Sequence, residues 1–332
     1  MAKVALPMLR TSERVLFKRC RWAWARRHID GYQPRTSKPA LEFGTLVHDS
    51  LAAYYLPGLK RGPHPAETFQ QLYIDHEVEF QVRVDDEKWE NAQELGVAMM
   101  EHYIEEYGKD RKIEIIAPEM PFKFKLLDAG GAPFYYVGRF DALAYDLEKG
   151  EYFLFEHKTA GSISLTHLPL DEQAGSYWVF APAWIKKLIR EGLIENKHHD
   201  LGLDMILYNF LRKAKPDPRP TNAEGLYLNL NGTISKKQPP KYFDRVPVYR
   251  DIEDRRAVLK RIRQEQWEHR MVREGKLPIY KNPQSGYPDR HCDVCPYRDM
   301  CELHETGSDW REFGRQTFDR VNAYEEYERD LA

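Results

Sequence analysis

Three polar residues stand inside aromatic-rich stretches where an isolated charge is costly. Asp141 lies in GRFDALAYD, and Glu156 and Lys158 lie two apart in FEHK. Successive side chains on a strand alternate between faces, so Glu156 and Lys158 project together and His157 points the other way. A short hairpin turn at 147–150 brings Asp141 beside Glu156. Two carboxylates held close repel each other unless a cation joins them. Mg²⁺ or Mn²⁺ meets that need, being a hard ion that takes oxygen ligands and retains waters. Such an ion makes water a usable nucleophile, and a nearby ammonium orients it or stabilises charge on a phosphate. The competing reading is a surface hairpin with a solvated charged face. The apolar flanks RFDALA and FLFEH count against it, because an unpaired carboxylate there is expensive.

The elements that must position these residues are legible in outline. FKFKLLD (122–128), FYYVGRFDALAYD (134–146) and EYFLFEHK (151–158) are aromatic and β-branched runs separated by AGGAP and EKG, which predicts a three-stranded antiparallel meander. A helix follows over 171–190, opened near Asp171, and strands are predicted at 203–211 and 225–231. Further helices are predicted at 11–28 (opened by Thr11 or Ser12), 41–56 (beginning around Gly44), 88–108 and 251–274. A Pro- and Gly-rich stretch, a cysteine cluster and a C-terminal helix from about 307 complete the chain. This is an α/β pattern with a mixed sheet.

Five motifs in order resemble the RecB-like branch of the PD-(D/E)xK nucleases. GTLVH (44–48) is similar to the GxxxH helix, PEMPF (118–122) to the strand-entry glutamate motif, and GRFDAL (138–143) to the GxxD strand. EHK (156–158) is similar to ExK, and QAGSY (173–177) to the QxxxY helix. The resemblance implies a restriction-endonuclease-like mixed central sheet flanked by helices, with helical insertions. It implies Asp141, Glu156 and Lys158 as the catalytic set, with Gln173 and Tyr177 on one helix face and Glu119 nearby. His48, Asp141, Glu156 and the backbone carbonyl of His157 are the implied ligands of Mg²⁺ or Mn²⁺. The whole chain, 1–332, then reads as one nuclease domain. Its parts are a basic helix with the first cysteine (1–40), a helical part with GxxxH (41–115), the catalytic meander and QxxxY helix (116–182), further strands and helices (183–290), and the cysteine cluster with a last helix (291–332).

The four cysteines are Cys20, Cys292, Cys295 and Cys301, the last three spaced C-x2-C-x5-C. A tetrahedral zinc site suits four thiolates, and His291 or His304 offers a Cys₃His alternative. One cysteine before GxxxH and three after the nuclease motifs resembles the iron–sulfur nucleases, among them the AddB nuclease domain, the CRISPR-adaptation nuclease and many phage exonucleases. That resemblance implies a 4Fe-4S cluster clasping the N- and C-terminal segments.

The net charge of −2 favours no partner class, since a nuclease needs only a local basic groove. No apolar run reaches the roughly 20 residues that span a bilayer. No signal peptide and no P-loop are recognised, so a cytoplasmic protein of a bacterial, archaeal or phage-infected cell without its own motor is expected. The basic helix around Arg10–Arg27 is a candidate phosphate track, with Trp22 or Trp24 as stacking platforms or as core. Arg212, Lys213 and Lys215 follow a strand and either line the groove or sit in an exposed loop. The 251–274 helix mixes both signs and reads as a solvated face. The function expected is an exonuclease acting on DNA ends, single-stranded or resected, in recombination, repair or phage DNA metabolism. The alternatives are a CRISPR-adaptation-type nuclease in an integrase complex, or a non-cleaving DNA-binding partner of a recombinase. Oligomeric state stays open.

Overall fold

The computed structural model describes residues 6–35, 39–80, 86–195, 202–284 and 291–330. After a two-residue strand, β1 (Met8–Leu9), the basic segment forms two helices rather than one, α1 (Thr11–Arg19) and α2 (Arg21–His28). Cys20 between them is extended, with φ −161° and ψ 110°, and the N–H of Trp22 bonds the carbonyl of Tyr280 at 3.1 Å. A short strand β2 (Tyr32–Pro34) leads to three helices, α3 (Pro39–Tyr54), α4 (Pro65–Phe80) and α5 (Asp86–Tyr107). The sequence reading leaves α4 out. Its signals are Pro65 at the first helical position and Ala66, Phe69 and Tyr73 buried along one face.

The meander is β3 (Ile113–Leu127), β4 (Pro133–Asp146) and β5 (Glu151–Ala160). β3 begins well before the expected 122. Pro118 and Pro121 mask it in the sequence, yet they are tolerated because β3 pairs only with β4 and so forms a sheet edge. α6 (Glu172–Arg190) starts where expected, with Asp171 capping the N–H of Ala174. β6 (Met205–Arg212) runs parallel to β5, and β7 (Phe243–Val248) lies antiparallel on its outer edge. The strand expected at 225–231 does not form. β7 already holds the free edge of β6, and Asn222 and Asn229 fold their neighbours into tight turns that leave only isolated bridges.

The result is a six-stranded mixed sheet between two helical layers. On one face α6 and α7 (Ile252–Arg273) cover Phe122, Phe140, Leu154 and Tyr208. On the other, α3, α4 and α5 cover Ala142, Phe153, Phe155 and Met205. α7 is less solvated than its composition predicts. Val258, Ile262, Gln266, His269 and Val272 are buried, and its charges pair inward, Glu265 to Arg14 and Arg270 to Asp128.

A helix not expected from the sequence, α8 (Arg298–Glu305), lies in the cysteine segment, and the C-terminal helix expected from about 307 is broken into α9 (Trp310–Thr317) and α10 (Glu325–Asp330), with β8 (Phe318–Arg320) between them. β8 pairs antiparallel with β2, and the Tyr297 hydroxyl donates to the carbonyl of Tyr32 at 2.8 Å. The N- and C-terminal segments therefore meet through the β2–β8 pair and the Tyr297–Tyr32 bond.

Candidate active site

β4 and β5 pair from Asp146–Glu151 up to Ala142–Phe155, and there their ladder stops. One step further in the same register stand Asp141 and Glu156. Instead of the next backbone bond, Asp141 Oδ2 accepts the N–H of His157 at 2.8 Å. β1 takes up the same edge of β4 only at Tyr135 and Tyr136, so a notch opens between. The alternation of β4 slips here too. Phe140 packs under α6 and Ala142 packs under α3–α5, although they are two residues apart. Such a slip re-aims the side chain between them.

Glu156 and Lys158 share the α6 face, as the two-residue spacing predicts. The Lys158 ammonium lies 2.6 Å from Glu156 Oε1. Gln173, in the first turn of α6, holds both: its Nε2 donates to Glu156 Oε1 at 2.8 Å and its Oε1 accepts from Lys158 Nζ at 2.7 Å. The same Nε2 reaches the Tyr177 hydroxyl at 2.7 Å, and Tyr177 donates to the carbonyl of Arg139 at 2.8 Å. Gln173 and Tyr177 are one helical turn apart, which puts them on one face. Gly138 secures the strand beneath: a Cβ there would stand 2.5 Å from the ring of Phe122, which stacks on Phe140.

His48 reaches the notch from α3, its Nδ1 3.4 Å from Asp141 Oδ2. Gly44, a turn earlier, brings α3 over β5, where a Cβ would meet Thr159 Oγ1 at 3.4 Å. Glu119 lies on β3 between Pro118, paired with Ala142, and Met120, paired with Phe140, and is therefore level with Asp141. Its backbone is left-handed, φ +44°, a strained conformation for glutamate.

The electrostatics follow from burial and crowding. Burial and the negative charge of Asp141 push Glu156 up to about 7 against the pull of Lys158. Burial, with Asp141 again, pushes Glu119 up to about 7. Burial also acts on Asp141, but the charge and hydrogen bond of His48 outweigh it and hold the carboxyl down at about 2. Lys158 is raised despite burial by Glu156 and Asp141. Burial drives the His157 ring down to about 3.

A family model described as the PD-(D/E)XK nuclease superfamily matches residues 11–302. The chain belongs to the PD-(D/E)XK nuclease superfamily. A comparison with curated proteins finds no match. The span matched takes in all five motifs and all four cysteines.

The notch of this PD-(D/E)XK superfamily member, a candidate site, opens onto a groove of about 680 Å³ lined by Asp141, Gln173 and Tyr177 with Arg10, Arg19 and Arg139. Of the basic segment, Arg10 and Arg19 line it. Arg14 is fully buried between Glu172 and Glu265, and Arg26 stacks on Trp22 and Trp310. Trp22 and Trp24 are core, not stacking platforms, at 4% and 0% exposure. Arg212, Lys213 and Lys215 are braced locally. Arg212 lies over Tyr242 at 4.3 Å, Lys213 over Phe43 at 5.4 Å, and Lys215 is 2.5 Å from Glu94.

None of the four cysteines is in a disulfide, and all four line one cavity of about 310 Å³ with Trp22, Lys281 and His291. Burial raises the thiols of Cys295 and Cys301. His304 packs edge-on to Trp22 at 5.8 Å. Among the described residues, no group of three or more His, Cys, Asp or Glu side chains converges at metal-holding spacing, at the cysteines or in the notch. In the notch each carboxylate is instead turned onto a neighbour, Asp141 onto His157 and His48, Glu156 onto Lys158 and Gln173.

Sequence reasoning missed the groups behind the sheet: Asn209, Tyr103 and Arg245. Asn209 alone carried a signal, as a single amide in the apolar run LDMILYNFL.

Proposed function

We propose that the chain is a metal-dependent deoxyribonuclease that hydrolyses phosphodiester bonds from DNA ends. The observation that carries this reading is the convergence of Asp141, Glu156, Lys158 and Gln173 in one notch that faces a groove rimmed by arginines. His48, Asp141, Glu156 and the carbonyl of His157 would hold Mg²⁺ or Mn²⁺. The donor chemistry fits: two buried carboxylates stand level on adjoining strands, an arrangement a divalent cation relieves. In an extended strand, N–H and C=O of one residue leave by the same edge. The His157 carbonyl therefore faces the notch beside its N–H. When bound, the ion supplies Lewis-acid chemistry at the phosphate and a water of lowered pKa.

The chain's own groups do the rest. Lys158 stays protonated beside Glu156 and is placed to hold charge on the scissile phosphate. Gln173 fixes the spacing of Glu156 and Lys158, and Tyr177 fixes Gln173. Arg10, Arg19 and Arg139 offer guanidinium donors to the backbone phosphates of the strand.

The four cysteines would hold a 4Fe-4S cluster, with zinc as the other occupant their chemistry allows. Their common cavity beside the β2–β8 pair supports a bracing role for it. The setting would be recombination, repair or phage DNA metabolism, with a recombinase or integrase as partner.

End-labelled linear DNA and closed circular DNA, incubated with Mn²⁺, test the mode. An exonuclease shortens the linear substrate and leaves circles intact. Linearised circles would replace the end-dependent reading by an endonuclease.

A further inference from the structure

Behind the sheet, on the face away from Gln173, the ring of His157 ends a closed set of hydrogen bonds. Asn209 pairs with His157 in the β5–β6 register, and both side chains are buried. An amide can sit either way round, and Arg245 decides which. Arg245 Nε, able only to donate, lies 3.3 Å from Asn209 Oδ1. Asn209 Nδ2 therefore faces away and donates twice, to the Tyr103 hydroxyl at 3.0 Å and to His157 Nδ1 at 2.8 Å. A ring nitrogen that accepts carries no proton, so neutral His157 is protonated on Nε2.

The remaining protons are fixed in the same way. The Tyr103 hydroxyl accepts from Asn209 and from Arg245, the latter at 2.9 Å, which commits its own proton to Tyr55 at 2.8 Å. Tyr55 donates to Asp110, and Asp110 takes both terminal nitrogens of Arg245 at 2.7 and 2.6 Å. Each contact in this ring joins a donor to an acceptor, and with His157 its members come from five parts of the chain. A buried network connected in this way favours one arrangement, which an apolar core would not enforce.

That arrangement bears on the notch through one peptide. The N–H of His157 orients Asp141, and its carbonyl leaves by the same edge, between Glu156 and Lys158. We propose that Asn209, held by Arg245 and Tyr103, is a positioning residue: it fixes the ring and tautomer of His157 and thereby the backbone that presents Asp141 and the His157 carbonyl to a divalent cation. The inference rests on the metal reading given above.

Asn209→Asp tests it. The carboxylate keeps the volume and can accept from Arg245, but it cannot donate to His157 Nδ1. Long-range ¹H–¹⁵N spectra of the histidine rings in metal-free protein should show the His157 proton on Nε2 in the wild type and on Nδ1 in Asn209→Asp. Calorimetric Mn²⁺ affinity should fall about tenfold or more, the usual size of outer-shell effects on a metal site, with DNA affinity in chelator unchanged. Tyr103→Phe, which frees Asn209 at one end, should shift both readouts in the same direction, and it carries the test if Asn209→Asp does not fold. An unmoved tautomer overturns the proposal, as does a moved one with Mn²⁺ affinity within twofold of wild type. A wild-type protein that binds no Mn²⁺ overturns the metal reading itself, while the spectra still report whether Asn209 sets the ring.

Discussion

Asp141 accepts the backbone N–H of His157 at 2.8 Å at the point where β4 and β5 stop pairing with each other. A side chain thus completes the ladder, and the strands part to leave a notch with carboxylates on both sides. Everything else in the candidate site is arranged around that substitution of side chain for backbone.

Gln173 is the group that touches both Glu156 and Lys158, so its loss should disturb their spacing without unfolding α6, which Asp171 caps independently. Gln173→Ala is expected to lower kcat for DNA cleavage by about tenfold to a hundredfold. KM should change little. Steady-state kinetics on a labelled oligonucleotide check this, and a loss confined to KM would assign Gln173 to substrate binding instead.

Gly138 is a packing requirement of the same strand. Gly138→Ala drives a Cβ into the Phe122 ring at 2.5 Å and should destabilise the protein by about 1–3 kcal/mol. A lowered midpoint of urea unfolding reads this out. An unchanged midpoint would mean that Phe122 has room to move.

Acid should destabilise the protein through Glu13 and His28. Glu13 is buried, accepts from Trp24 Nε1 at 2.8 Å, and lies beside His269, His28 and Arg273. Burial raises its carboxyl, but the His269 hydrogen bond and the charges of His28, His269 and Arg273 outweigh this and lower it to about 2. Burial lowers His28 to about 4, aided by Arg10, Arg27 and Arg273. Both folded values lie below the ordinary ones, so in acid the unfolded chain binds more protons than the folded one. The stability due to His28 is present above pH 6.5 and is lost as pH falls toward 4. That due to Glu13 is present above about 4.5 and is lost as pH falls toward 2. Urea midpoints across this range should decline with acid, and Glu13→Gln should remove the part of the slope below pH 4.5. Parallel slopes in the two proteins would refute the assignment.

The cysteine cavity makes a chemical prediction. Anaerobically purified protein should be yellow-brown and contain about four irons per chain, as a 4Fe-4S cluster requires. Cys295→Ala should lower metal content, solubility and melting temperature together. Zinc in place of iron would keep the bracing role and change the metal, whereas full stability with full metal content in Cys295→Ala would contradict both.

Much of this was legible in the sequence, for physical reasons. The meander shows because period-two aromatics and two turn signals leave few alternatives, and α6 shows because Asp171 is an N-cap before an apolar face. What was not legible depends on tertiary partners. Cys20 breaks an otherwise continuous helical pattern, with Tyr280 serving as the acceptor for Trp22. β7, FDRVPV, holds few apolar residues and a proline, tolerable only at an edge that the sequence does not announce. LYLNLN looks like a strand, but turns at Asn222 and Asn229 leave it with isolated bridges only. The tryptophans of the basic segment could not be told from a stacking platform until their burial against α7 and α9 was seen. In the candidate site, the grouping of Asp141, Glu156 and Lys158 follows from alternation and hairpin register. The brace of Asn209, Tyr103 and Arg245 spans more than a hundred residues of sequence and leaves no local pattern.

The most direct test of the central reading is cleavage of end-labelled linear DNA by wild type and Lys158→Ala, each with Mn²⁺ or with chelator. Metal-dependent shortening by the wild type is predicted, with activity reduced by about a hundredfold or more in a folded Lys158→Ala. Equal cleavage by both proteins would remove Lys158 from the chemistry, and no cleavage by a folded, metal-loaded wild type would contradict the nuclease site itself.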